Sequence, residues 1–114
     1  MSLQQVLRTQ WDGYQCTHAT RANFVVHLTT VPVFMAGTLG FICGAVTLSM
    51  GYCVLGLFAM AVAMAAQAWG HKHEAHSPAP FTSRSNAFAR IFLEQWVTFP
   101  KYALHAAWRT LSRR

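Results

Sequence analysis

Residues 31–69 contain no Lys, Arg, Asp, Glu or His, and nothing else in the chain restricts its fold as strongly. As one helix this run would reach roughly 58 Å, about twice the hydrocarbon core of a bilayer. It therefore needs a break near its middle, which Ser49-Met50-Gly51 supplies. We read two helices, about Pro32–Leu48 and about Tyr52–Trp69, each close to the shortest length that crosses a membrane. Pro32 suits the first turn of a helix, where a missing N–H costs nothing. The competing reading is a helical hairpin in a soluble core, but charge-free apolar runs of this length favour membrane spans.

Charge placement supports the same choice. Hydrophobic residues make up 54% of the chain and charged residues 11%, against roughly 25% charged in ordinary globular domains. The nine Lys and Arg residues (Arg8, Arg21, Lys72, Arg84, Arg90, Lys101, Arg109, Arg113, Arg114) lie outside the apolar run, and the net charge is +6. The positive-inside rule then places both termini in the cytoplasm and the tip at Met50–Gly51 on the far side. Topology and anionic lipid account for the positive charge, so nucleic acid is not an expected partner. Cys16, Cys43 and Cys53 have no paired spacing and read as reduced.

The expected fold class is an all-α membrane protein. A two-span helical hairpin is flanked by N-terminal and C-terminal amphipathic helices on the cytoplasmic face. The whole chain reads as one membrane domain: an N-terminal helix over about 4–30, spans over 32–48 and 52–69, a His/Pro loop over 70–85, and one or two interfacial helices over 86–111. In that last segment Phe88, Ile91, Phe92, Trp96 and Phe99 make an apolar side, and Pro100 must kink or split the helix. Trp96, Tyr102 and Trp108 would lie at headgroup depth. Gly40-x-x-x-Gly44 is a small-residue pair suited to close helix packing. Packing of the two spans on each other is preferred, with a homo-oligomer through this face left open.

A two-span hairpin returns the chain to the face it left. His18 and His27 precede the first span; His71, His73 and His76 follow the second. Five of the six histidines can thus meet at one membrane boundary, and imidazole suits Fe, Zn, Cu or Ni. On a continuous helix His18 and His27 would point about 180° apart. Either the helix breaks near Ala19–Ala22, or the site inserts between two helices. His71 and Glu74 can share a face, as can Asn23 and His27. Glu74 is a candidate carboxylate ligand or base, with an ion pair to Lys72 or Arg84 as the plainer alternative. Glu94 carries the same ambiguity, with Arg90 as partner. His73 and His76 are accessory candidates at most.

The pattern His18-x4-Asn23-x3-His27, Val31-Pro32, then Gln67-x2-Gly70-His71 followed by a Glu and Pro-Ala, resembles a family of small membrane proteins. That family includes the fungal iron(II)-dependent 2-hydroxy fatty acid dioxygenase of phytosphingosine breakdown. The resemblance covers about residues 11–32 and 67–79, and the tail FLEQWVTFPKYAL is similar to a short bacterial branch. It implies Fe(II) held by His18, His27 and His71, with a catalytic place for Asn23; beside it, our reading of the residues makes Glu74 the catalytic carboxylate and His73, His76 and Glu94 accessory candidates. It also implies O2 and a lipid-derived 2-hydroxy acid as substrates, cleaved to a fatty acid one carbon shorter. Arg21, Lys72 or Arg84 could hold the substrate carboxylate. Here Glu74 stands three residues after His71, where the fungal pattern has four. The excess of Arg over Lys in a short, Ala-rich chain suggests a bacterial inner membrane, with the endoplasmic reticulum as the location in a eukaryote. A non-catalytic membrane interaction protein and a b-type haem protein are the rival functions.

Overall fold

The computed structural model describes residues 2–112. Helices α1 (Leu3–Thr17), α2 (Arg21–Thr47), α3 (Met50–His71), α4 (Arg84–Leu93) and α5 (Phe99–Ser112) follow one another, with a π-helical turn at Glu94–Thr98 between the last two. No strand occurs among the described residues. The chain divides into two compact units. Residues 18–75 form the first, and residues 2–17 with 76–112 form the second.

The first unit is a hairpin of α2 on α3. Both helices are long and apolar enough to cross a membrane. α2 starts well before the expected Pro32, because Thr20 caps it. Thr20 is extended (φ −81°, ψ 146°) and its hydroxyl accepts the Asn23 N–H. Pro32 consequently lies inside the helix rather than in its first turn. It withholds a donor from the Leu28 carbonyl, a loss that apolar helices packed on neighbours tolerate. At the tip the break comes slightly earlier than expected. Leu48 adopts the left-handed conformation (φ 58°, ψ 37°), Ser49 caps α3 by accepting from Tyr52 N–H, and Gly51 is already helical. The Gly44 carbonyl accepts N–H groups from both Leu48 and Ser49, the latter at 2.8 Å. A left-handed Leu costs about 1–2 kcal/mol, so Leu48→Gly should raise the hairpin's stability by about 1 kcal/mol, read from the unfolding midpoint in detergent.

Glycines let the two helices approach backbone to backbone. A Cβ at Gly56 would lie 2.5 Å from the Gly37 carbonyl oxygen, and one at Gly44 would lie 2.6 Å from the Cys53 nitrogen. Gly40 has only ordinary contact, 3.9 Å from Gly56 Cα. The contact face is therefore Gly37, Gly44 and Gly56, not the expected Gly40/Gly44 pair. Outside this face large apolar side chains stand open: Val46 is 77% exposed, Phe58 66% and Leu55 65%. Helices apolar around their whole circumference belong in a large core or in lipid.

In the second unit α1 packs on α4 and on the π turn. Gln10 ties them: its amide donates to the Arg90 carbonyl at 2.6 Å, and its oxygen accepts from the Thr98 hydroxyl at 2.7 Å. Pro100 neither ends the helix nor splits it into separate rods. The widened turn before it, closed by Phe99 N–H to the Glu94 carbonyl, gives the proline ring room. Tyr102 packs on buried Tyr14, ring centroids 5.0 Å apart.

Candidate metal centre

Three residues, His18–Thr20, separate α1 from α2. This interruption resolves the angular conflict between His18 and His27, because the two no longer lie on one helix. His18 sits in the break, His27 lies on α2 near its start, and His71 ends α3. Their rings pack mutually edge to face. Centroids are 4.6 Å apart for His18–His27, 4.7 Å for His18–His71 and 5.1 Å for His27–His71. Interplanar angles are 82°, 79° and 84°. His18 and His27 are buried and His71 is half-buried. One nitrogen from each lies within 4.8 Å of the others, a group that could hold a metal ion.

The hydrogen bonds sharpen this. His27 Nδ1 is 3.0 Å from the Asn23 carbonyl oxygen. A carbonyl only accepts, so Nδ1 carries the proton and, in the neutral ring, Nε2 presents its lone pair. That Nε2 is 3.3 Å from His18 Nε2. Two nitrogens each about 2.1 Å from one metal lie about 3–3.4 Å apart, so the pair fits a shared cation. The donor set suits Fe(II) as well as Zn(II).

The next layer comes from the same unit. Asn23 is fully buried, and its carboxamide nitrogen is 3.5 Å from His71 Nδ1. Gly70 makes room for it, since a Cβ there would overlap Asn23 Oδ1. Gln67 is also buried and donates to the Thr30 hydroxyl at 3.1 Å, one turn deeper into the hairpin. Glu74 accepts from Ala19 N–H (2.9 Å), Thr20 N–H (3.0 Å) and the Thr20 hydroxyl (2.9 Å). Partial burial pushes its carboxyl up, but these bonds and one from Asn23 outweigh it and hold the group below its ordinary value of 4.5. A depressed folded value means that the clamp stabilises fully above the unfolded value and is lost as pH falls through the folded one. Glu74→Gln should therefore flatten the acid limb of the unfolding midpoint plotted against pH.

The other expected site residues lie on their own units. His73 is exposed, with Nδ1 donating to the Trp69 carbonyl at 3.1 Å and its ring 4.4 Å from Trp69. Arg21 and Lys72 are exposed on the first unit. His76 and Arg84 are exposed on the second. Glu94 also belongs to the second unit, in the π turn, and its charge acts on Tyr14 of the same unit. Burial and then the Glu94 charge push the Tyr14 hydroxyl far up. Sequence reasoning missed Thr20, Thr30 and Tyr14. Only Thr20 carried a local signal, a capping residue three positions before Asn23.

No family model, curated protein or solved structure matches the chain.

Proposed function

We propose that this chain is a membrane-embedded, iron(II)-dependent oxygenase that carries out α-oxidation of 2-hydroxy fatty acids or a related lipid-derived hydroxy acid. The observation that carries this reading is the three-histidine cluster at the polar end of an apolar hairpin. It unites nitrogen ligands for a metal with outer surfaces suited to acyl chains. The resemblance of the His18–His27 and Gln67–His71 blocks to the hydroxy fatty acid dioxygenase family supplies the substrate class. The overall conversion balances as R–CH(OH)–COOH + O2 giving R–COOH + CO2 + H2O.

His18, His27 and His71 would hold the iron. Bound there, iron(II) supplies open positions for O2 and for the two oxygens of a 2-hydroxy acid. Asn23 orients His27 through its backbone carbonyl and His71 through its carboxamide. Arg21 and Lys72, on the same unit, are suited to a substrate carboxylate.

The location follows from charge and exposure. With both termini cytoplasmic, α2 and α3 cross the membrane and the histidines lie at its cytoplasmic boundary. In α5, Leu104, Trp108 and Leu111 form an exposed stripe at helical spacing, flanked by Lys101 and Arg109. That pattern suits a helix lying in an anionic interface.

The deciding experiment is anaerobic purification with iron supplied, followed by metal analysis and O2 uptake with 2-hydroxy fatty acids of several chain lengths. Stoichiometric iron, no Soret band and formation of the shortened acid are expected. A Soret band points to haem. Absence of both metal and turnover leaves a non-catalytic membrane protein and ends the oxygenase reading.

A further inference from the structure

Glu74 holds the one irregular segment on which the cluster depends. His18 reaches His27 and His71 only because the chain breaks at His18–Thr20, and broken helix ends expose amides that need acceptors. Glu74, more than fifty residues away in sequence, accepts the two amides that follow His18, those of Ala19 and Thr20, and the Thr20 hydroxyl. At its other end Glu74 is fixed to α3 by a tight turn. Its own N–H donates to the His71 carbonyl at 3.1 Å, and His73 N–H donates to Gly70. Asn23 completes the arrangement, because its carboxamide nitrogen lies 3.5 Å from His71 Nδ1 and its backbone accepts from His27. His18 directly precedes the two clamped amides, the His71 carbonyl accepts the Glu74 N–H, and both oxygens of the carboxylate are engaged in charge-assisted bonds.

We infer that Glu74 is a positioning residue, neither ligand nor base: by clamping the Ala19–Thr20 amides to the end of α3 it holds His18 against His27 and His71. This assignment rests on reading the three histidines as a metal centre. Residues that orient ligands without touching the metal typically govern affinity by about 10–100-fold.

The test uses the full chain in detergent, titrated anaerobically with Co(II), whose visible bands report the ligand set. Wild type, Glu74→Gln, Thr20→Ala, Thr20→Ser and His27→Ala are compared, with helicity and unfolding midpoint measured on each metal-free protein. Glu74→Gln should bind about 10–100-fold more weakly, with band positions kept and helicity retained. Thr20→Ala should weaken binding in the same direction by less, and Thr20→Ser should restore it. Should Glu74→Gln fail to fold, the Thr20 pair carries the test alone. Wild-type affinity in Glu74→Gln, or in Thr20→Ala where that pair stands alone, overturns the clamp. Changed bands with a loss as large as that of His27→Ala make Glu74 a ligand and overturn it too. If wild type itself binds no metal, the metal-centre reading fails first and the clamp's role with it.

Discussion

His27→Ala should lose stoichiometric iron while the α2–α3 hairpin stays folded. His27 is the most enclosed of the three histidines, 0% exposed, and its ring is fixed through Nδ1 by the Asn23 carbonyl. Removing a ligand should cost more than removing an orienting neighbour, so the affinity should fall by about 100-fold or more. His71→Ala should behave alike. His73→Ala should not, because His73 faces away and bonds the Trp69 carbonyl. Metal content by elemental analysis, with helicity measured in parallel, checks all three. Equal losses in His71→Ala and His73→Ala would show that the cluster is not the binding site.

Gly56→Leu should splay the hairpin. Even a bare Cβ at Gly56 would lie 2.5 Å from the Gly37 oxygen and 2.6 Å from the Phe41 nitrogen. Both are backbone atoms in helices that cannot give way locally. Overpacking of this kind costs about 1–3 kcal/mol where side chains can shift; a leucine against two backbones should cost at least about 3 kcal/mol. Gly56→Ala should fall in the lower range. Two controls separate packing from helix propensity. Gly40→Ala should be near neutral, and Gly13→Ala, with nothing within 4 Å of its Cβ, should stabilise by about 1 kcal/mol. Denaturant unfolding in micelles reads each one. If Gly56→Leu and Gly40→Leu unfold together, the assigned contact face is wrong.

How much of this was legible follows from the range of each signal. The two apolar helices and the need for a turn near residue 49 could be read from an uncharged run and the width of a bilayer. The convergence of His18, His27 and His71 was expected from the hairpin, and helix angles left either a break near Ala19–Ala22 or a site between two helices; the chain breaks at His18–Thr20. Helix boundaries were less legible. Charge marked the apolar core of α2, but Thr20 and Asn23 start the helix much earlier, and Pro32 was misplaced as a consequence. The roles of Glu74 and Gln67 had no periodic trace. Each depends on a partner on another element, Thr20 or Thr30, and such pairings emerge only once two helices are set side by side. The choice of Gly40 failed for a related reason. A small-residue spacing identifies a face that permits close approach, while the partner helix decides which glycines are used.

The π turn before Pro100 can also be seen as one surplus residue accommodated without breaking the rod. Excising a single position from Glu94–Thr98 would restore ordinary helical winding, draw α5 back by about 1.5 Å and swing it by about 100°. Pro100 would then meet the carbonyl that the wider turn now keeps clear of it, and Leu104, Trp108 and Leu111 would face a new direction. The segment thus acts as a vernier on the C-terminal helix. A change of length there, with no change of chemistry, would re-aim the whole aromatic and basic tail.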